Sequence, residues 1–273
     1  MDQLEIDRFG RELYEALRAL RTVPPLTGRV AGITIDDAYR ISRSMLALRL
    51  AEGERIVGKK IGVTGLVVQK MLDVHQPDFG FLTDAMVCAG GASGGVPEMK
   101  ISGRLIQPKA EGELAFVLAR PLRGPGVTGP DVLAATASIC PCFEVVDSRI
   151  DDWKIRIEDT VADNASSGLF ILGDAVPMNG SPEGASGLDL SKIVMEVTKN
   201  GAPLSRGTGA ASAIGSPEGC VAWLANTLGA FGIGLEAGEV ILSGSLVPLE
   251  PVRAGDEMRA EIAGLGAVAV RFV

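Results

Sequence analysis

Two amphipathic helical patterns precede eight strand-like runs that never settle into a regular strand–helix alternation, and this order restricts the fold more than any other property of the chain. Leu4, Phe9, Leu13, Leu17 and Leu20 recur near helical spacing. A second helix starts at Thr34, where Thr34-Ile-Asp-Asp37 resembles a capping box, and Ile41, Met45 and Leu48 give it an apolar stripe. Strands are predicted at 56–63, 113–118, 143–146, 169–172, 193–198, 240–243, 258–262 and 267–273, with a hairpin turn at Asn200-Gly201. Ser216-Pro217-Glu218 has a capping serine followed by proline at the first helical position, which opens a helix to about residue 228. Glycine-rich 89–95, 124–129 and 173–187 are predicted loops. The irregular order favours an α+β fold with a mixed sheet over a doubly wound one. With no repeat and no composition break, 1–273 is predicted as a single catalytic domain, a helical layer at 1–55 over a β-rich core at 56–273.

The charge balance is 26 − 34 = −8, with one histidine, His75. Nucleic acid and anionic membranes need a basic face and are not expected partners. A multi-histidine metal site is excluded, so any metal must rest on carboxylates. Cys88, Cys140, Cys142 and Cys220 are too few and too uneven for a disulfide framework. The acidic start Met-Asp-Gln-Leu-Glu lacks the pattern of a signal peptide. The longest uncharged stretch, 219–235, has 17 residues and four glycines, short of the ~20 apolar residues of a membrane span. The expectation is a soluble cytoplasmic protein.

Several motifs carry less than their letters suggest. Gly124-Pro-Gly-Val-Thr-Gly129 spells a dinucleotide fingerprint, but Arg120-Pro-Leu-Arg123 separates it from the preceding strand and Pro125 occupies the turn, so a surface loop is expected. Cys140-Pro-Cys142 lies between Ile and Phe and is expected to be a pair of buried structural thiols. His75 lacks a nucleophile motif and is assigned to a loop, with general-base catalysis as the lesser reading.

The carboxylates inside apolar strands are more informative. Residues i and i+2 of a strand share a face, so Glu111 and Glu113 at the start of Leu114-Ala-Phe-Val-Leu project together, with Gly112 leaving the other side open. Glu144 lies in the apolar run Cys-Phe-Glu-Val-Val-Asp, whose Asp147 is expected to support the site or form an ion pair. Three carboxylates meeting on neighbouring strands make a hard oxygen site suited to Mg²⁺ or Mn²⁺. Taken alone, Glu-x-Glu also fits the solvated face of an edge strand. Lys59 and Lys60 point to opposite faces of a short strand, so one is expected inward, either anchoring an anionic substrate or donating a proton with a lowered pKa; a surface lysine pair is the alternative.

The runs Gly58-Lys-Lys-Ile-Gly-Val-Thr64, His75-Gln-Pro-Asp-Phe-Gly80, Leu105-Ile-Gln-Pro-Lys-Ala-Glu-Gly-Glu113, Cys142-Phe-Glu-Val-Val-Asp-Ser148, Asp159-Thr-Val-Ala-Asp-Asn-Ala165 and Ile241-Leu-Ser-Gly-Ser-Leu-Val-Pro248 resemble the 2-hydroxypenta-2,4-dienoate hydratases. These enzymes, also called 2-keto-4-pentenoate hydratases, group with the 4-oxalocrotonate decarboxylases in the fumarylacetoacetate-hydrolase-like superfamily. The resemblance implies a mixed β-roll with an N-terminal helical segment. It implies Mg²⁺ or Mn²⁺ held by Glu111, Glu113 and Glu144, Lys60 and Asp78 as catalytic groups, and Ser166 with Ser243 or Ser245 as substrate contacts. Gly65 stands where many relatives carry serine, and 89–95 is longer than usual. The implied reaction hydrates a 2-hydroxydienoate by metal-assisted ketonisation and conjugate addition of water, in aromatic meta-cleavage catabolism. The implied assembly is a homo-oligomer, with a decamer as one arrangement, and a complex with the decarboxylase of the same pathway.

The nearest rival is 4-oxalocrotonate decarboxylase itself, which uses a similar site but needs room for a second carboxylate. An acylpyruvate-type hydrolase needs a His–Glu pair that His75 does not obviously supply. A non-catalytic subunit would be expected to lose a ligand, and all three carboxylates are present.

Overall fold

The computed structural model describes residues 1–88, 95–178, 185 and 187–273; the rest of the predicted 89–95 and 173–187 loops lies outside the described residues. Helices α1 (Gln3–Ala19) and α2 (Ile35–Ala51) come first, then strand β1 (Ile56–Gly62), helix α3 (Leu66–Met71) and strand β2 (Asp78–Thr83). There follow β3 (Glu98–Met99), β4 (Lys109–Leu118), α4 (Gly129–Ala135), β5 (Thr136–Val146), α5 (Ile157–Ala162), β6 (Leu169–Leu172) and β7 (Val176–Pro177). The chain ends with β8 (Val194–Lys199), β9 (Ala202–Thr208), α6 (Pro217–Gly229), β10 (Val240–Ser245), β11 (Glu250–Pro251), β12 (Glu257–Ile262) and β13 (Gly266–Phe272).

Local signals set most of these boundaries. Thr34 Oγ1 accepts from Asp37 N at 3.1 Å and Asp37 Oδ2 accepts from Thr34 N at 3.4 Å, completing the capping box of α2. Ser216 Oγ caps α6 through Gly219 N at 3.1 Å. The buried stripe of α1 differs from the expected one: it consists of Ile6, Phe9, Gly10, Leu13, Tyr14 and Ala16, whereas Leu4 is 83% exposed. Leu4 lies about 200° around the helix from Ile6. Leu20 falls past the helix end, in a left-handed cap with φ 50°.

Two mixed sheets form the body. The larger runs β2-β1-β10-β4-β5-β6, with β11 on β4 and β7 on β5; the smaller runs β3-β13-β12-β8-β9. β1 and β10 are parallel, and so are β13 and β3. The remaining pairs are antiparallel. The larger sheet curls until its two edges meet: Val87, just past β2, bridges Phe170 in β6, and Cys88 N donates to Phe170 O at 2.8 Å. Its convex face packs against the smaller sheet and α6 around Phe116, Phe143, Met195, Val270 and Phe272. Its concave face carries a smaller apolar cluster of Leu82, Ala115, Cys140, Cys142, Phe170 and Leu242. The first two helices and α5 share a third cluster that includes Phe9, Ile41 and Val161. Among the described residues no helix is long and apolar enough to cross a membrane.

Three sequence expectations change. β2 is absent from the predicted strands, yet all six of its residues are buried. β4 begins at Lys109, because Lys109 and Ala110 pair with both β5 and β11, which puts Glu111 inside the strand. Part of the predicted 173–187 loop is β7, held on β5 by pairing of Val176 with Ile139.

Candidate active site

The register of β4 on β5 places Glu111 opposite Glu144 and Glu113 opposite Cys142, so strand alternation gathers the three glutamates on the concave face. All three are buried, and one oxygen from each lies within 4.8 Å of the others. Gly112 points the other way, but that side is closed: a Cβ there would sit 2.5 Å from Met195 Sδ and 3.2 Å from Val247 Cγ2. Glycine lets the second sheet press directly behind the glutamates.

A bulge in β10 supplies one donor. Between Leu242 and Ser245 the register shifts, and Gly244, at φ 97° with Thr64 against it, donates its N–H to Glu113 Oε2 at 2.8 Å. Among the described residues, Glu113 Oε1 and both carboxylate oxygens of Glu144 have no hydrogen-bond partner. Buried carboxylate oxygens left this way are expensive unless a cation takes them. Three converging carboxylates, two of them with unfilled acceptors, fit a hard divalent ion.

The opposite wall comes from β1 and β2. Lys60 pairs with Gly80, and Gly62 pairs with Asp78. The sheet curl brings Lys60 Nζ to 3.3 Å from Glu144 Oε1, an ion pair without hydrogen-bond geometry. A Cβ on Gly62 would meet Asp78 Oδ1 at 2.3 Å and Lys60 Nζ at 3.4 Å, so that glycine leaves the space in which the two groups face each other. Asp78 is buried and its Oδ1 is unpartnered.

Burial, then repulsion from Glu144, pushes the Glu111 carboxyl up to about 7. The same two causes hold Glu113 well above its ordinary range, and burial raises Glu144 and Asp78. Lys60 corrects the expectation of a lowered pKa. Burial alone would lower it, but Glu144, Asp78, Glu111 and Glu113 outweigh burial and hold the ammonium above its usual value. Of the two lysines, Lys60 faces the carboxylates; Lys59 is buried too, on the other face, with Nζ 2.5 Å from both oxygens of Glu239.

The serines are spread more widely. Ser243 is buried with an unpartnered hydroxyl. Ser245 pairs with Glu113 across the strands, and its hydroxyl is bound to the Val247 carbonyl. Ser166 is buried, with its hydroxyl 3.1 Å from Thr160 Oγ1. A Cβ on Gly65 would meet no described atom within 4 Å. His75 is exposed in the connection to β2. Asp147 forms no ion pair among the described residues; it accepts from Ile106 N at 3.0 Å and Gln107 N at 2.7 Å, fixing the approach to β4. Cys140 and Cys142 are buried, and burial pushes the Cys140 thiol up to about 12. Loop 124–129 is pinned to α6 by the Asn226 side chain, which bonds the N–H and carbonyl of Val127.

Tyr39 is a site neighbour that no sequence pattern singles out. Tyr39 stacks on Phe79 with ring centroids 4.2 Å apart, and burial with the nearby Asp78 raises its phenol. The signal for β2 was present in its aromatic-rich run Phe79-Gly-Phe-Leu-Thr83.

Comparison with known proteins agrees with this geometry. The Fumarylacetoacetate (FAA) hydrolase C-terminal family matches residues 64–273. A 2-hydroxyhexa-2,4-dienoate hydratase from Comamonas testosteroni is 55% identical over 271 residues, 99% of this chain and 98% of that one. A 2-hydroxypent-2,4-dienoate hydratase from Pseudomonas putida is 60% identical over 233 residues, 85% of this chain and 100% of that one. In structure, the 4-oxalocrotonate decarboxylase of Pseudomonas putida G7, complexed with magnesium and adipate, superposes with a TM-score of 0.90 at 32% identity, covering 100% of this chain and 99% of that one. The chain therefore belongs to the fumarylacetoacetate hydrolase family, in its 2-hydroxydienoate hydratase branch.

Proposed function

We propose that this protein hydrates 2-hydroxypenta-2,4-dienoate to 4-hydroxy-2-oxopentanoate in a meta-cleavage pathway, as one catalytic domain with its helical layer at 1–55 and metal-binding core at 56–273. The observation that carries the reading is the buried cluster of Glu111, Glu113 and Glu144 facing Lys60, in a chain more than half identical to dienoate hydratases. Glu111, Glu113 and Glu144 would hold Mg²⁺ or Mn²⁺. When bound, the ion supplies Lewis-acid stabilisation of negative charge at the substrate's 2-oxygen.

The chain's own groups handle the rest. Lys60, kept charged by its carboxylate neighbours, anchors the substrate carboxylate. Asp78, whose burial favours the neutral acid, carries protons: the 2-hydroxyl loses one, C5 gains one in ketonisation, and C3 gains one when water adds at C4. The unpartnered Ser243 hydroxyl is available to the substrate, with Ser245 and Ser166 as further contacts. The buried thiols Cys140, Cys142 and Cys220 suit the reducing cytoplasm. Exposed Leu66, Val67, Met71 and Phe231 support assembly into a homo-oligomer, a decamer included, or with the pathway's decarboxylase.

Supplying the dienol and 4-oxalocrotonate separately tests the reading. Loss of the dienol without CO₂ release from 4-oxalocrotonate supports hydration; CO₂ release with an inert dienol assigns the chain to decarboxylation.

A further inference from the structure

The segment Asp159-Thr-Val-Ala-Asp-Asn-Ala165 contributes no group to the chemistry above, yet its polar residues are all buried, Asp159, Asp163 and Asn164 among them. Asp159, Asp163 and Asn164 each bind a different part of the molecule. Asp159 accepts from Thr27 N at 3.0 Å and Thr27 Oγ1 at 2.7 Å, tying α5 to the N-terminal layer. Asp163 takes the Arg149 guanidinium, with Nε at 2.5 Å, and the same arginine donates to the carbonyls of Asp163 at 2.6 Å and Ser167 at 3.0 Å. Arg149 thus brackets the turn Asn164–Ser166 from both ends. Asp147 N also donates to Ser166 O at 2.8 Å, joining the turn to the end of β5.

Inside the bracket, Asn164, Ala165 and Ser166 are all left-handed, with φ of 54°, 51° and 53°. Non-glycine residues keep that conformation only where surrounding contacts impose it, and such strain gathers at functional sites. Asn164 Oδ1 accepts from Phe81 N at 2.8 Å, and its Nδ2 donates to Phe81 O at 2.9 Å. Phe81 lies on β2, an edge of the larger sheet, three residues after Asp78. The side-chain amide takes the place of the missing neighbour strand. Gly80 permits the contact, since a Cβ there would lie 2.6 Å from Asn164 O and 2.8 Å from Ser167 Oγ.

We infer that Asn164 is a positioning residue, a latch that fixes the wall carrying Lys60 and Asp78 against the wall carrying Glu111, Glu113 and Glu144. The role rests on the hydratase reading above. Proton transfer between groups held on two walls is steep in distance, and a shift of about 1 Å can cost ~100-fold in rate.

The test is Asn164→Gly, because glycine adopts the left-handed conformation freely while losing both bonds to Phe81. Three readouts are measured: dienoate turnover with Mn²⁺, Mn²⁺ affinity without substrate, and amide hydrogen exchange of segment 78–83. The expected result is kcat down by about 10- to 100-fold with KM within about threefold. Mn²⁺ affinity should hold while exchange in 78–83 accelerates. A kcat near wild type despite accelerated exchange reduces the latch to a structural contact, and unchanged exchange removes it altogether. If Asn164→Gly does not fold, Asn164→Asp decides, since it keeps the acceptor for Phe81 N–H and loses the donor. Reduced kcat with intact Mn²⁺ affinity then supports the latch, and full kcat overturns it. If the wild type does not consume the dienol, the hydratase reading fails first. Exchange at 78–83 with Mn²⁺ affinity then judges the latch by itself: acceleration with affinity retained supports it, and any other result overturns it.

Discussion

Raising the pH from 5 to 8 in the presence of a chelator should destabilise the protein, and a divalent ion should reverse the trend. Glu111 is buried beside Glu144, and its carboxyl moves from 4.5 to about 7 on folding. An acid whose folded pKa lies above its unfolded value binds more protons when folded across that window. Its favourable contribution is therefore present below pH 4.5 and lost as pH rises through 7. A shift of about 2.5 units at ~1.36 kcal/mol per unit amounts to about 3 kcal/mol. About 2.5 kcal/mol of it is lost between pH 5 and 8, which at about 2–4 °C per kcal/mol for a chain of this size is a fall in Tm of roughly 5–10 °C. Glu113, Glu144 and Asp78 are raised as well and act in the same direction. Metal ligation needs ionised carboxylates, so Mn²⁺ should stabilise more at pH 8 than at pH 5. Calorimetric melts of wild type and Glu111→Gln, with EDTA or with Mn²⁺, separate these contributions. In EDTA the wild type should lose stability more steeply with pH than the variant. Parallel slopes for the two proteins would refute the reasoning, because Glu111 would then carry no pH-dependent cost.

Other substitutions probe single contacts. Lys60→Met should lower kcat/KM for the dienoate by about 100-fold or more, as expected when a charged group at the reacting centre is lost; steady-state kinetics with saturating Mn²⁺ reads the change. Lys59→Met leaves Glu239 buried without its cation and should cost about 3–5 kcal/mol in denaturant melts, while KM per folded molecule stays near wild type. Asp78→Asn should retain Mn²⁺ affinity and lose turnover, which isothermal titration and the dienol assay distinguish.

The sequence disclosed the site better than it disclosed the geometry that closes it. Glu111, Glu113 and Glu144 were legible because carboxylates inside apolar strands contradict ordinary burial, and strand alternation fixes their common face. Lys60 was legible as one of two lysines, but its raised pKa was not, because that depends on four carboxylates brought together by sheet curl. The curl itself joins β2 to the neighbourhood of β6 through Val87 and Asn164, contacts between residues about 80 positions apart that no local pattern encodes. β2 was missed because Pro77-Asp78 reads as a turn, although the aromatic residues after it are strand formers buried on both faces. Capping signals at Thr34 and Ser216 transferred directly, since each is satisfied within four residues. The stripe on α1 shifted because five leucine and phenylalanine positions near helical spacing do not say which face meets the core.

The central claim is that a divalent ion held by Glu111, Glu113 and Glu144 drives dienoate hydration. The most direct measurement is the rate of 2-hydroxypenta-2,4-dienoate consumption during stepwise addition of Mn²⁺ to EDTA-treated protein, alongside folded Glu113→Gln. The account expects negligible turnover without metal, a rate that rises in proportion to one ion per chain, and no recovery in the variant. Turnover that survives metal removal, or a fully active Glu113→Gln, would contradict it.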